Sequence, residues 1–448
     1  MILRSSKALI KRPKSTNLDE DFIGKLHDAL LIQILSLLPE SDANRTRILS
    51  NRWKNLWAFL PNLHFVMPFC WSIEEINKFH DSVDQTLALR DGMPVQRFYL
   101  YCSKNCNYDR VYDWLCKVVK CRVEEIELRF PADRFTVRFC WDLFRACSSL
   151  VSLTLRGEFL LHVPDDELLF PCLKKIELVS IVYSGDESFA NLISGCPVLE
   201  ELFVERQLIG QFDNMERFLV VSPSLKRLRL SFALCVIGVY KVVIDAPKLE
   251  YLNILDVMST DYSLTKPLSL TEAHIRTLTD GQVESVGQLM TCLSSVKILT
   301  LTDSTLMALS YVYGLNMPMF PNLVKFVVGI DVVWGWNILP TLLDNMPNLE
   351  HITFADGLLP FPRAQHIFNM RWSPPVEVPA CLPFKMKEII IENRETISPE
   401  EFNLIRYLLR HSNNLESLTI NAHKIDARRR EQMSKFYRAS KSCRIEFI

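Results

Sequence analysis

Glycine is scarce in this chain: 13 of 448 residues, about 3% against a usual ~7%. Glycine-rich phosphate loops are therefore poorly supported, and no G-x-x-x-x-G-K run occurs. G-x-S-x-G and H-E-x-x-H are missing too. No C-x-x-C occurs among the 13 cysteines, and the closest pair, Cys102 and Cys106, has no second pair at zinc-site spacing. The nine histidines are scattered, with no paired ligand at helical metal spacing. These absences argue against a stand-alone enzyme and lead us to expect no catalytic residue, no metal and no cofactor. Net charge is nearly absent as well, with 51 basic against 52 acidic residues, so no global field draws nucleic acid. The longest apolar stretch, Phe232 to Tyr240, is too short to span a bilayer. Residues 1–19 are basic (Arg4, Lys7, Lys11, Arg12, Lys14) but lack the apolar run of a signal peptide. We expect a soluble chain with reduced thiols in the nucleus or cytoplasm. Lys11-Arg12-Pro13-Lys14 is either a nuclear address or a solvated tail.

What is present suits a large folded protein: 48% hydrophobic and 23% charged residues. Over residues 26–60, Leu30, Ile34, Leu37 and Leu38 fall on one helical stripe, widened by Leu31 and Leu35. Asp28 sits in the first turn, where an anion suits the helix dipole, and Pro39 ends the helix. Ser41 or Asp42 is placed to cap a second helix through Leu49, and Ser50 a third carrying Arg52, Trp53, Leu56 and Trp57. Three helices in so short a stretch cannot bury this much apolar surface alone. Either a partner's helical surface covers the excess or the rest of the chain does.

The pattern L-x-D-A-L-L-x-x-I-L-S-L-L-P, followed by R-x-L-S-x-R-W-K-x-L-W, resembles the plant F-box over about residues 20–63. The resemblance implies docking on a Skp1-like adaptor and, through it, a cullin-RING ubiquitin ligase. It places the adaptor contacts on Leu26, Leu30, Ile34, Leu38, Pro39, Leu49, Ser50, Arg52 and Trp53. The family usually has proline after the first leucine, where this chain has His27. Proline pre-sets the first helical turn without adding an orphan donor.

After a connecting helical segment at 64–94, an apolar-x-x-apolar-x-apolar pattern recurs through 95–370. It begins at Val95, Val123, Leu150, Leu173, Leu199, Leu225, Leu249, Leu270, Val296, Leu323 and Leu349. The period is about 25 residues, within the range of leucine-rich repeats. Single strand–turn–helix units cannot bury their apolar faces, but stacked neighbours do so jointly. Spacings of 21 to 28 predict an irregular arc. Cys147, Cys172, Cys196 and Cys292, just ahead of repeat starts, read as small core hydrophobes. Strand alternation points the third and fifth pattern positions away from the core, onto the expected concave face. Among them Arg97, Tyr99, Phe203, Arg227, Arg229, Tyr251, His274 and His351 are candidates for contacting a substrate. Mixed charge and aromatics suit a protein or peptide better than a phosphate backbone. Arg227 and Arg229 together suit a carboxylate or phosphate.

Near residue 370 the period breaks at a proline-rich run, Trp372 to Leu382. Two repeat-like strands follow, at Met386-Ile389-Ile391 and Leu415-Leu418-Ile420. Between them a helix opens at Ser398-Pro399-Glu400-Glu401, and 425–437 reads as a basic helix. W-S-P-P-x-x-V-P-x-C-L with the strand–helix–strand after it resembles the plant FBD domain over residues 371–448. The expected fold is α/β: a short three-helix F-box, an irregular leucine-rich-repeat solenoid and a C-terminal α/β FBD cap. The expected role is that of a non-catalytic substrate-recognition subunit of a Skp1-cullin-F-box ligase. It would bind adaptor and a protein substrate but neither nucleic acid nor membrane. A non-degradative scaffold and a ligand-sensing repeat receptor are the alternatives.

Overall fold

A computed structural model of the chain describes residues 22–448 apart from 39, 68–71, 91, 104–105, 132–136, 140, 164–168, 207–214, 233–240, 257–260, 266–268, 278–282, 313–316, 330–334, 356–373, 394–398, 423–424 and 426. The basic run at Lys11, and the positions Pro39 and Ser398, lie outside the described residues. No helix among the described residues is long and apolar enough to cross a membrane.

The chain opens on α1 (Asp28–Ser36), α2 (Glu40–Arg45) and α3 (Asn51–Leu56). Ser50 accepts from the Trp53 amide as expected of a cap, at 3.5 Å. Ser41 and Asp42 do not precede α2 but lie within it, because the helix starts at Glu40. Leu31, Leu35, Ala43, Trp53, Leu56 and Leu60 form a small buried core, with Leu26, Ile32 and Trp57 packed against it.

A single fifteen-stranded parallel sheet then runs to the C-terminal region. Its strands are β1 (Asn62–Val66), β2 (Arg97–Tyr101), β3 (Glu125–Arg129), β5 (Ser152–Arg156), β7 (Lys175–Val179), β9 (Glu201–Glu205), β11 (Arg227–Phe232), β13 (Tyr251–Asp256), β15 (Glu272–Thr277), β16 (Ile298–Leu301), β17 (Lys325–Val328), β18 (His351–Phe354), β19 (Glu388–Asn393), β20 (Ser417–Ala422) and β21 (Arg444–Phe447). All eleven repeat units expected between 95 and 370 supply strands of this sheet, in chain order. The sheet starts earlier than expected, on a strand that straddles the end of the 20–63 segment and the start of the one read as a helical connection, since β1 pairs with β2. It also ends later, on β21 beside β20.

The return segments are not uniformly helical. Helices α4 (Ile73–Leu89), α5 (Tyr108–Lys120), α6 (Asp186–Ser194), α7 (Val283–Cys292), α8 (Asp303–Val312) and α9 (Gly335–Asp344) cover part of the array. Elsewhere the chain returns through strands. β4 (Val137–Arg138), β6 (Phe159–Leu161) and β8 (Val182–Tyr183) form one small sheet, and β10 (Arg217–Val221), β12 (Lys241–Asp245) and β14 (Asp261–Leu264) another. There side chains alternate: Phe218, Val220, Val242 and Ile244 are buried, while Arg217 and Lys241 are exposed. The tail adds α10 (Cys381–Phe384), α11 (Pro399–His411) and α12 (Ala427–Ser434). Leu404, Ile405, Leu408 and Leu409 bury the inner stripe of α11.

One continuous core follows the main sheet from Leu63 to Cys443. Cys147 and Cys196 belong to it, and burial pushes the Cys196 thiol up to about 12, so it stays protonated at neutral pH. Cys292 is half-buried and Cys172 is exposed, so Cys172 is not the core residue its position suggested.

Arg90 ties the helices to the array. It follows the last turn of α4, is 1% exposed, and donates to the carbonyls of Ala58 (2.7 Å), Leu60 (2.6 Å) and Pro94 (2.6 Å). Burial lowers its pKa, yet the guanidinium charge is shared among carbonyl dipoles. Arg90→Met should therefore cost about 3 kcal/mol or more, since two buried carbonyls and a third nearer the surface lose their donor at once. Urea denaturation checks this; a loss under about 1 kcal/mol would show the clamp to be dispensable.

Candidate functional site: two exposed faces

The first face lies on α1. Its helical period offers two stripes to the core, and the structure buries the narrower one, Leu31 and Leu35. Leu30, Ile34, Leu37 and Leu38 are left exposed, Leu37 by 85%. Ile48 (88%) and Leu49 (63%) are exposed where α2 runs on into a 3-10 turn, Thr46–Ile48. A chain that seals its repeat leucines to 0–2% leaves these six uncovered. Fully covering one such side chain is worth about 1.5–3 kcal/mol, so the face is strongly biased towards a partner.

Of the residues expected here, Leu30, Ile34, Leu38, Leu49, Ser50 and Arg52 are exposed, and Leu26 is half-buried against the small core. Trp53 is a correction: it is 7% exposed, because its ring completes the core beneath α1. Arg52 braces the entry to the helix. Its Nε donates to Asp28 Oδ1 at 2.8 Å, and its terminal nitrogens reach the carbonyls of Gly24 and Leu26. His27 is the N-cap residue of α1, with φ −65°, and its Nδ1 accepts weakly from the Ala29 amide at 3.4 Å.

The second face is the outward side of the main sheet. Register aligns its side chains in rows that cross the strands. One row reads Lys175, Glu201, Arg227, Tyr251, Glu272; the next reads Glu177, Phe203, Arg229, Asn253, His274. Phe203, Arg227, Arg229, Tyr251 and His274 are therefore brought together. The Arg227 guanidinium lies 4.3 Å from the Tyr251 ring centre and that of Arg229 5.4 Å, while His274 packs on the same ring at 5.4 Å. Asn253 donates to the Tyr251 hydroxyl at 3.3 Å.

The other candidates stand apart. His351 is four strands from Tyr251, about 19 Å at normal strand spacing, and accompanies Glu388 at 3.1 Å. Arg97 is five strands from Arg227, roughly 24 Å away, and pairs with Glu125 at 2.9 Å. Tyr99 stacks on His64 at 4.1 Å and lies under Arg129 at 5.5 Å. Arg129, Arg156 and Arg276 were missed as face residues. Each sits two places beyond the fifth pattern position and so shares its parity, a signal available in the sequence.

Elsewhere, Cys106 Sγ approaches His80 Nε2 at 3.8 Å and donates to Cys102, but all three are buried behind α4 and α5. Among the described residues no group of three or more His, Cys, Asp or Glu is arranged to hold a metal ion.

Comparison with known proteins finds relatives for both the helical module and the repeat array. A family model described as F-box domain matches residues 23–65, and one described as FBD-associated F-box protein At5g56370, LRR repeats, matches residues 111–328. The F-box/LRR-repeat protein At3g59190 of Arabidopsis thaliana is 32% identical, over 75% of this chain and 92% of its own length. The F-box/LRR-repeat protein At2g42720 of the same plant is 33% identical, over 75% and 78%. The F-box/FBD/LRR-repeat protein At2g04230 is 29% identical, over 94% and 93%.

Arg52→Ala should loosen the entry to α1 more than it destabilises the whole. The ion pair is half-exposed and worth about 1 kcal/mol or less. Hydrogen exchange should quicken in residues 24–31 while the repeat strands keep their protection; unchanged exchange there would show that Arg52 is not the brace.

Proposed function

Since this chain belongs to the F-box/LRR-repeat family, we propose that it is the substrate-recognition subunit of a Skp1-cullin-F-box ubiquitin ligase. The three short helices are the F-box, and the exposed stripe of α1 with Ile48 and Leu49 is the adaptor surface. The observation that carries this reading is the contrast between Leu31 and Leu35, buried, and Leu30 and Ile34 on the same helix with Leu37 and Leu38 just past its end, all left to solvent. The outward face of the sheet would hold the protein substrate, and the C-terminal segment from 371 would serve as an FBD cap on the last repeats. The work would take place in the nucleus or cytoplasm.

On this reading the chain does no chemistry. It positions a substrate beside catalytic subunits on other chains, turning a bimolecular encounter into a local one. That division of labour suits a molecule whose buried thiols are held protonated and whose faces are built for contact.

Leu30→Asp with Ile34→Asp should abolish co-purification of a Skp1-like adaptor. Both side chains already face water, so the thermal midpoint of the isolated chain should move by less than about 3 °C. Wild-type adaptor recovery from that double variant would remove the assignment. His27→Pro should raise adaptor affinity severalfold, because the φ of −65° already matches proline and the entry to the helix would be pre-set. Calorimetry decides, and equal or weaker binding would count against it.

A further inference from the structure

The main sheet ends on an open strand. Among the described residues β21 is hydrogen-bonded to β20 alone and is the last of the fifteen strands. The amides of Arg444 and Ile448 reach the carbonyls of Glu416 and Ile420 at 2.9 and 3.1 Å. Alternate residues of a parallel strand turn to opposite neighbours, so Ile445 and Phe447 direct their main-chain N–H and C=O to the open side.

The side chains show the same open edge. On β19 and β20 the inward residues Ile389, Ile391, Leu418 and Ile420 are 0–1% exposed, with a strand on either side. Their register counterparts on β21, Ile445 and Phe447, are only half-buried, although they pack on the same core. On the outward side Arg444 and Glu446 are exposed, and β20 offers them Ser417 and Thr419 as register partners. Their contact with each other along the strand is long, 3.9 Å. β21 is short, which is one way an edge is kept from pairing, but it has no proline and no inward-pointing charge.

These side chains specify the strand that would fit. Opposite Arg444 it needs an acid, opposite Ile445 an apolar side chain and opposite Glu446 a base. Read in reverse, β21 is itself that strand. In an antiparallel pair of two copies centred on Ile445, Arg444 of each chain lies opposite Glu446 of the other, and the two Ile445 side chains meet. Centring one place earlier sets Arg444 against Arg444, and one place later Glu446 against Glu446. Like charges directly opposite are destabilising, so charge selects the register. A two-fold contact of this kind joins identical edges and closes at a dimer.

We propose that two copies of this chain associate edge to edge through β21, antiparallel and centred on Ile445, joining their sheets into one. The pairing does not depend on the ligase reading. Combined with that reading, it sets two outward faces in a single particle, which favours a partner that presents two sites. A strand pair of this length buries less than a standard interface, so the dimer is expected to be weak.

The test uses the full chain carrying Leu30→Asp with Ile34→Asp, which removes association through the apolar face of α1. Sedimentation velocity between ~1 and ~100 μM should show a monomer passing into a dimer and nothing larger. Hydrogen exchange at the Ile445 and Phe447 amides should slow as the dimer forms. Arg444→Glu and Glu446→Arg should each raise the dissociation constant about tenfold or more, since each sets like charges opposite one another twice. Both should keep the thermal midpoint within about 3 °C, so that a lost dimer reports on the edge and not on the fold. An equimolar mixture of the two variants should regain the dimer, because the acids of one then meet the bases of the other. A monomer at every concentration, with the Ile445 amide exchanging at one rate throughout, would overturn the proposal and leave this edge to a strand of another protein. A dimer indifferent to both charge reversals, or a mixture that stays monomeric, would overturn it as well. Adaptor binding plays no part in these samples, so failure here leaves the ligase reading standing.

Discussion

A guanidinium buried among carbonyls is what the rest of this architecture depends on. Arg90 is sealed from solvent, and it joins the end of α4 to Ala58 and Leu60, where the helical module passes into the first strand. An interior charge is costly, and here its cost is offset by three main-chain acceptors instead of a carboxylate. Carbonyls fixed in the backbone cannot rotate away, so the contact sets position as well as energy. Trp57 packs against both the small core and the large one, which makes the junction apolar as well as polar. If the chain works by positioning, as proposed, such a joint is what that role requires, because a slack linker between the two exposed faces would dilute the local concentration that gives the effect.

The same logic runs along the array. Each strand of a parallel sheet is stabilised by its two neighbours, so the ends are the exposed liability of a stacked fold. At the N-terminal end β1 follows within a few residues of α3, so the helical module abuts the sheet directly. At the other end β19, β20 and β21 extend the sheet, while α11 packs Ile405, Leu408 and Leu409 into the continuous core. Where a helix would not fit between units, short strands return instead, and Phe189, Tyr183 and Phe218 pack edge to face across that region.

Much of this was legible in the residues. The apolar-x-x-apolar-x-apolar pattern found the strands because each unit buries the same three positions, as at Leu225, Leu228 and Leu230. The unit at Leu60, Leu63 and Phe65 obeys the same rule, but it follows the F-box helices so closely that helical periodicity hides it. β21 lacks the leading apolar residue, so only the alternation of Ile445 and Phe447 betrays it. On α1 the period identifies an apolar helix without saying which side is covered, since Leu31 and Leu35 fit it as well as Leu30 and Ile34 do. That choice belongs to the shape of the small core, into which Trp53 is drawn. Pairing of charges across the face was beyond sequence reasoning too, because it depends on register between strands about 25 residues apart.

Charge pairing on that face has a consequence larger than its energy. Half-exposed ion pairs such as Arg97–Glu125 contribute about 1 kcal/mol or less to stability. They nevertheless cancel the local field, strand by strand, so that most of a broad surface has little attraction for passing polyelectrolytes. Specificity on a face of this kind comes from what has been neutralised as much as from what has been left charged.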